Sequence, residues 1–169
     1  MIRIRPGELS DFPALQQIER ETAPMFAAED LPAALALPLP HADLVAGISS
    51  SLLWVAEMES APDPVGFVLC EKLAPSGLHI REMDVRPRHG RKGVGGRLLS
   101  HACSAASSLG LQVVTLTTFS HLPWNAPFYA TRGFDVPGDL GPYPYLSAIL
   151  KREYALGLRN RVAMLKSVA

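Results

Sequence analysis

Apolar residues alternate with polar ones, or run in short β-branched stretches, in seven parts of the chain. Both patterns predict β-strands, because alternate strand residues face opposite sides of a sheet. Ile2 and Ile4 alternate with arginines until Pro6 and Gly7 end the first stretch. Further strands are predicted at residues 52–57, 65–71, 78–85, 112–119, 133–136 and 160–166.

Helical spacing of apolar residues appears between these strands. The first helix follows a capping residue, Ser10 or Asp11, has Pro13 in its first turn and presents one apolar face. The longest predicted helix, 94–109, carries an apolar stripe along its whole length. Others are predicted at 41–50, 125–132 and 145–156, the last ending at Gly157. Residues 22–40 contain four prolines, so we expect an irregular segment there.

The order of these elements predicts a mixed α/β (α+β) sheet. The early strands follow each other through short turns, which favours antiparallel pairing. A long helix separates strands 78–85 and 112–119, so these two strands should run parallel through a crossover. The second of them is β-branched throughout, which is typical of a central strand buried on both faces.

Composition limits the possible functions. The chain has 169 residues, of which 48% are hydrophobic, and we expect a single globular domain over 1–169. Lysine plus arginine and aspartate plus glutamate number 16 each, which argues against a nucleic-acid or anionic-membrane partner. We find no signal-like core, no apolar run near the roughly 18 residues of a membrane span and no metal-ligand spacing of Cys and His. We therefore expect a cytoplasmic protein without a metal.

The stretch between strand 78–85 and helix 94–109 holds the clearest chemical signal. It combines several glycines with arginine and lysine residues just before a long helix. Glycine lets the backbone approach a ligand, and the first N–H groups of a helix have no partner inside it. Such a loop is typical of a phosphate site. A Walker loop is excluded because Lys92 is followed by Gly93 and Val94, and no acidic residue follows at the distance that a Rossmann fingerprint requires.

This loop resembles motif A of the GNAT N-acetyltransferase superfamily. Residues 124–134, which contain Tyr129 and end in Gly133 and Phe134, resemble a second motif of the same family. The resemblance implies a central mixed, mostly antiparallel sheet flanked by helices, with a parallel strand pair splayed around acetyl-CoA. It implies cofactor contacts at Met83, Asp84, Val85, Arg88, His89, Gly90, Arg91, Lys92, Gly93, Val94, Gly95, Gly96, Arg97, Asn125 and Tyr129.

The chain departs from the family pattern at two positions. Gly90 stands where the family has Gln or Arg, and His89 or Arg91 could supply the missing charge. Leu122 stands where the family often has Asn, so the nearby Asn125 is a less certain cofactor contact. Binding through backbone amides tolerates both changes.

Acyl transfer to an amine needs a proton donor for the leaving thiolate and an acceptor for the amine proton. The resemblance places Tyr129 near the sulfur as the donor, with a core aromatic as the alternative. Glu82 leads the candidates for the base, followed by His121 and Glu21. For each of these three residues, the alternative interpretation is a solvated surface group without a catalytic role. A further alternative is a water relay that needs no single base.

Aromatic residues that could line an acceptor pocket are Phe26, Trp54 and Trp124, with a core position as the alternative for each. The predicted activity is transfer of an acetyl group from acetyl-CoA to a primary amine of a small molecule, directly in a ternary complex. A protein N-terminus or lysine is the second choice of acceptor. A catalytically silent acyl-CoA-binding sensor is the alternative from another class, and a homodimer is left open.

Overall fold

The computed structural model describes all residues from Met1 to Ala169. It contains six strands, β1 (Ile2–Pro6), β2 (Leu53–Met58), β3 (Gly66–Leu73), β4 (Gly77–Val85), β5 (Val113–Phe119) and β6 (Arg161–Ser167). Its five α-helices are α1 (Phe12–Thr22), α2 (His41–Ser49), α3 (Val94–Ser108), α4 (Ala126–Ala130) and α5 (Pro144–Ala155). Residues 23–40 contain only two short 3-10 turns, as the four prolines predict.

The strands form one sheet in the order β1 to β6. The pairs β1–β2, β2–β3 and β5–β6 are antiparallel, whereas β4 and β5 are parallel, with Gly77 opposite Val113. The crossover through α3 explains that parallel pair, because a strand that follows such a connection returns in the same direction. The predicted mixed, mostly antiparallel sheet flanked by helices is confirmed.

Contacts divide the chain into two compact units. The first comprises Met1–Glu71 and Arg81–Ala102, and the second comprises Lys72–Ile80 and Cys103–Ala169. The expectation of one domain over the whole chain stays a prediction. Helix α3 and strand β4 each contribute residues to both units.

The first unit has helices on both faces of its strands. One face carries α1 and α2, whose Leu15, Ile18 and Leu44 pack with Leu53 and Phe67 of the strands. The opposite face carries α3, with the Trp54 ring edge-on to His101 at 5.1 Å between ring centroids. Because side chains alternate along a strand, each strand packs against the helices on both faces of the sheet.

The second unit is built around β5. All but one of its seven residues are buried, as expected for a strand covered on both faces. Its polar residues find partners inside the unit: His79 Nδ1 lies 3.0 Å from Thr115 Oγ1, and Glu153 accepts hydrogen bonds from Thr117 and Arg161. These bonds satisfy polar groups that burial would otherwise make costly.

Two local predictions are wrong. Residues 133–136 form no strand, because only Asp135 bridges to Leu165. Asp11 stands at the N-terminus of α1 but does not cap it, since its carboxylate accepts hydrogen bonds from Arg5 at 2.8 Å and from the Glu8 N–H. A charge-assisted pair with arginine is stronger than a bond to a neutral helix amide. No helix in this fold has the length and hydrophobicity required to cross a bilayer.

Candidate active site

The loop between β4 and α3 is a sequence of tight turns. Pro87–His89 forms one 3-10 turn, closed by the Gly90 N–H donating to Pro87 O at 3.0 Å. Arg91 and Gly93 then adopt left-handed conformations, with φ of 57° and 86°. Glycine adopts this region at no steric cost, whereas arginine does so rarely. The backbone therefore reverses twice within a few residues before α3 begins at Val94.

This geometry leaves the N-terminus of α3 open. The backbone N–H groups of residues 91–96 donate no hydrogen bond within the chain, and the first helical bond runs from Arg97 N to Gly93 O at 3.0 Å. A Cβ atom built on Gly93 would meet no atom within 4 Å. Unpaired amides at the positive end of a 15-residue helix form a site for an anion.

Four cations surround these amides. Arg88, Arg91, Lys92 and Arg97 are exposed, and none of them forms an ion pair within the chain. Their charges are thus available to a bound anion. The predicted phosphate loop therefore has both of the features that phosphate binding requires, free amides and unpaired cations.

His89 differs from its cationic neighbours because its side chain is buried. Burial and the charges of Lys92, Arg88 and Arg86 lower the pKa of His89, so its ring is neutral at pH 7. The ring cannot replace the charge missing at Gly90. Arg91, the exposed neighbour of Gly90, carries a charge and stays the predicted replacement.

The end of β4 leads directly into the loop, and its side chains point to opposite faces. Val85 faces α3, since its side chain and that of Leu98 in α3 both lie beside Gly66 of β3. Asp84 faces α1, where Thr22 adjoins its carboxyl group. Burial raises the pKa of Asp84 to about 6. Met83 and Glu82 precede them and are partly buried.

A second carboxylate, Glu19, lies close to Asp84. It occupies the buried face of α1 with Leu15, Ile18 and Thr22, and its oxygens accept the Leu39 N–H at 3.0 and 3.1 Å. Burial, and then the negative charge of Asp84, raise the pKa of Glu19 to about 7. Sequence reasoning missed this residue. The signal was present, since positions 15, 18, 19 and 22 have the spacing of one helical face.

Glu21, the third candidate for the base, has a different partner. Its carboxylate pairs with the guanidinium of Arg86, which is buried and also donates from Nε to Pro64 O at 3.1 Å. Arg86 is therefore a buried cation with partners in the chain, and not a solvated one. This ion pair gives Glu21 a structural role.

The second unit contains Tyr129 and Asn125. Asn125 precedes α4, and its Oδ1 accepts hydrogen bonds from Thr118 Oγ1 at 2.7 Å and from Phe119 N at 3.4 Å. Tyr129 is half-buried, with its ring edge-on to those of Phe128 and Phe134 at 5.1 and 5.9 Å between ring centroids. The oxygen of Asn125 therefore holds the turn before α4, which carries Tyr129.

The aromatic residues predicted for an acceptor pocket have unequal exposure. Trp54 is only 7% exposed and packs on His101, so it occupies a core position. Trp124 is 43% exposed, and Phe26 is partly buried in the 23–40 segment. His121 is exposed, with its ring edge-on to Phe119 at 6.0 Å between ring centroids.

A family model described as the acetyltransferase (GNAT) family matches residues 12–134. This match includes the loop, the end of β4 and Tyr129, and it covers well over half of the chain. The protein belongs to the GNAT acetyltransferase family. The resemblance inferred from the two motifs is thereby confirmed.

Solved structures share the fold of this protein. N-acetylglutamate synthase from Neisseria gonorrhoeae, complexed with coenzyme A and N-acetyl-glutamate, matches with a TM-score of 0.74 and 18% identity over 100% of this chain and 35% of that one. A Mycobacterium tuberculosis protein in complex with CoA matches with a TM-score of 0.71 and 21% identity over 98% of both chains. A ribosomal-protein alanine N-acetyltransferase from Escherichia coli matches with a TM-score of 0.70 and 17% identity. This match covers 100% of this chain and 95% of that one.

These likenesses concern the fold. The chain spans about a third of the Neisseria enzyme and nearly the whole length of the other two proteins. The cofactor, catalytic and acceptor roles of individual residues in this protein stay predictions. Among them, those of the loop have the most direct support in its geometry.

Proposed function

We propose that the protein transfers an acetyl group from acetyl-CoA to a primary amine of a small molecule, directly in a ternary complex. The observation that carries this proposal is the run of unpaired backbone N–H groups over residues 91–96. These groups fit a diphosphate, and Arg91 and Lys92 beside them are free to neutralise its charge. Two of the proteins that share the fold were solved with CoA, which supports the same ligand here.

Different parts of the chain bind the cofactor and stabilise the reacting group. The loop binds the pyrophosphate through its amides, and the backbone of Met83, Asp84 and Val85 lies alongside the pantetheine arm. One amide of this strand end donates to the oxyanion that develops on the thioester carbonyl. Acetyl-CoA supplies the activated acyl group.

Transfer requires a neutral amine and a protonated leaving group. The amine nitrogen forms a bond to the carbonyl carbon while the carbon–sulfur bond breaks, and the nitrogen then loses one proton to water. We assign Tyr129 as the proton donor to the departing thiolate. The two carboxylates on the α1 side of β4, Glu19 and Asp84, have no ion-pair partner, which favours an acceptor that arrives as a cation.

The test combines calorimetry with a thiol-release assay. We expect the purified protein to bind CoA and to release thiol from acetyl-CoA with at least one of butylamine, putrescine, phenethylamine and glutamate. The panel also includes a peptide with a free N-terminal alanine and an N-acetylated peptide with a single lysine.

Each outcome of this panel has a definite meaning. Turnover with peptides alone would replace the small-molecule acceptor by a protein. Tight CoA binding without turnover across the panel would favour the acyl-CoA-binding sensor. A protein that does not bind CoA would overturn the proposal as a whole.

A further inference from the structure

Arg86 is the first residue after β4 and the first of the loop that leads to α3. Its side chain is buried, and its backbone N–H donates to Val65 O at 2.8 Å. The guanidinium donates from Nε to Pro64 O at 3.1 Å and from Nη1 to the carboxylate of Glu21. Both the main chain and the side chain of Arg86 are therefore fixed to neighbouring elements.

The loop begins at this fixed residue. Arg86 O accepts the N–H of His89 at 2.8 Å, and this bond closes the first turn of the loop. The His89 side chain is buried as well, whereas that of its neighbour Arg88 is exposed. The free amides of residues 91–96 follow within a few residues, so their position depends on where Arg86 is held.

Glu21 holds the guanidinium from a helix that is itself firmly packed. It lies in the last turn of α1, whose Leu15 and Ile18 are fully buried in the core of the first unit. The partners of Arg86 all belong to that unit, which also contains the loop and the end of β4. Glu21 is thus a fixed support for Arg86.

Stability alone is a weak reason for this buried ion pair. The desolvation of two charges offsets much of their attraction, and apolar side chains of similar volume often stabilise a fold as well or better. An arginine–carboxylate pair adds direction, because its charge-assisted hydrogen bonds have a defined length and geometry. Such a pair suits a position at which the backbone has to be held in one place.

The place of Arg86 matters because two parts of the proposed cofactor site meet there. Before it lies the strand end, residues 83–85, which we propose to follow the pantetheine arm and to donate to the oxyanion. After it come the amides of residues 91–96, which we propose to bind the diphosphate. Acetyl-CoA spans both parts, so their separation decides whether the thioester carbonyl reaches its donor. A displacement of about 1 Å can slow such a step a hundredfold.

We propose that Arg86, held by Glu21, is a positioning residue for acyl transfer, which sets the diphosphate-binding amides at the distance from the strand end that brings the thioester to its oxyanion donor. This inference rests on the proposed function. Neither side chain gives or takes a proton in this role, since both act through the backbone of the loop.

The test compares acetyl-CoA with S-acetylpantetheine, which has the same thioester and arm but no diphosphate. Because the loop can place only the first donor, the ratio of the two kcat/KM values measures how far diphosphate binding assists the reaction. The variants are Arg86→Met, Glu21→Gln and the two combined. Arg5→Met is the matched control, because Arg5 pairs with Asp11 at 2.8 Å and with Glu57 at 2.6 Å in the same unit.

The kinetics use the small amine of the panel with the highest kcat/KM. We expect the ratio to fall about tenfold in Arg86→Met and in Glu21→Gln, because the loop is no longer held at one distance from the strand. The double variant should be no worse than Arg86→Met, since both substitutions remove the same link. With S-acetylpantetheine, kcat should stay within about twofold of the wild type in all three. Arg5→Met should lower the melting temperature and keep the wild-type ratio.

The inference is overturned if folded Arg86→Met and Glu21→Gln keep the wild-type ratio. It is also overturned if Arg5→Met loses the ratio to the same extent, because general destabilisation would then explain the effect. Melting temperatures identify any variant that does not fold. If Arg86→Met is one of them, Glu21→Gln, which keeps an oxygen acceptor for the guanidinium, decides the question.

Failure of the proposed function gives a different result. If the wild type binds CoA but acetylates no amine, the proposed function fails. Calorimetry then tests the position of the loop by itself, since a displaced loop cannot bind the diphosphate and leave the arm along the strand. Glu21→Gln should bind CoA more weakly than Arg5→Met does, and equal affinities would overturn the inference.

Discussion

A negative charge at Gly93 is the sharpest perturbation of the loop between β4 and α3, for which we propose cofactor binding. In the wild type this position is open: a Cβ atom placed on Gly93 would have no atom within 4 Å, and φ is 86°. Gly93→Asp therefore meets no clash within the chain itself. Its carboxylate would lie one residue before α3, where it can accept hydrogen bonds from the free amides that we assign to the diphosphate. The variant should thus carry its own competing anion.

The expected loss of affinity follows from charge and backbone strain. A unit charge about 4 Å from a phosphate is repelled by roughly 1 kcal/mol in water and by roughly 4 kcal/mol at the effective dielectric of a protein surface. These limits correspond to about 5-fold and about 1000-fold weaker CoA binding. A non-glycine residue in the left-handed region costs a further 1–2 kcal/mol or so of folding stability.

Gly110 provides a matched control at the other end of α3. It also has positive φ, 71°, and open space around a Cβ atom. Gly110→Asp therefore carries the same strain and the same charge. A 15-residue helix is about 22 Å long, more than twice the roughly 10 Å screening length at 0.1 M salt. Calorimetry with CoA, together with thermal melting, should show weak binding only in Gly93→Asp.

The reasoning would be refuted by a folded Gly93→Asp protein that binds CoA as tightly as Gly110→Asp does. It would also fail if Gly93→Ala, which carries the strain without the charge, lost as much affinity as Gly93→Asp. In the first case the anion does not lie at these amides. In the second case backbone conformation, and not charge, would control binding.

Three further outcomes are expected elsewhere in the chain. Tyr129→Phe should lower kcat by about a hundredfold with CoA affinity unchanged, and equal losses in both would remove its role as acid. Arg86→Met leaves Glu21 without its partner and Pro64 O without a donor. The free energy of unfolding, measured with denaturant, should therefore fall by about 3 kcal/mol. An unchanged unfolding midpoint would contradict the ion pair. The pKa of Glu19 is about 7 in the folded protein, against 4.5 for an unperturbed glutamate. The protonated carboxyl group of Glu19 therefore contributes fully to stability below about pH 4.5, and this contribution is lost as the pH rises through 7. Between pH 4 and pH 8, the free energy of unfolding of Glu19→Gln should therefore rise by about 3 kcal/mol relative to that of the wild type. Parallel curves of unfolding free energy against pH for the two proteins would contradict the burial argument.

Much of the fold, and the open conformation of the loop before α3, could be predicted from the sequence, because their signals are local. Hydrophobic periods define the strands and helices to within a few residues, and a helix between two strands fixes their parallel direction. The glycines near α3 likewise indicate free amides, since backbone conformation depends on neighbouring residues. Residues 133–136 show the limit of this approach, as a short β-like stretch needs a partner strand and finds only the bridge from Asp135 to Leu165.

The sequence by itself determined the family, the order of elements and the position of the loop. Tertiary structure alone decided which polar groups are buried and with what they pair. Glu19 meets Leu39 across 20 residues, and Arg86 meets Glu21 across 65. Trp54 became a core residue only through packing on α3. The physical reason is that the charge state and role of a side chain depend on the neighbours and dielectric that folding brings to it, and no local pattern encodes these.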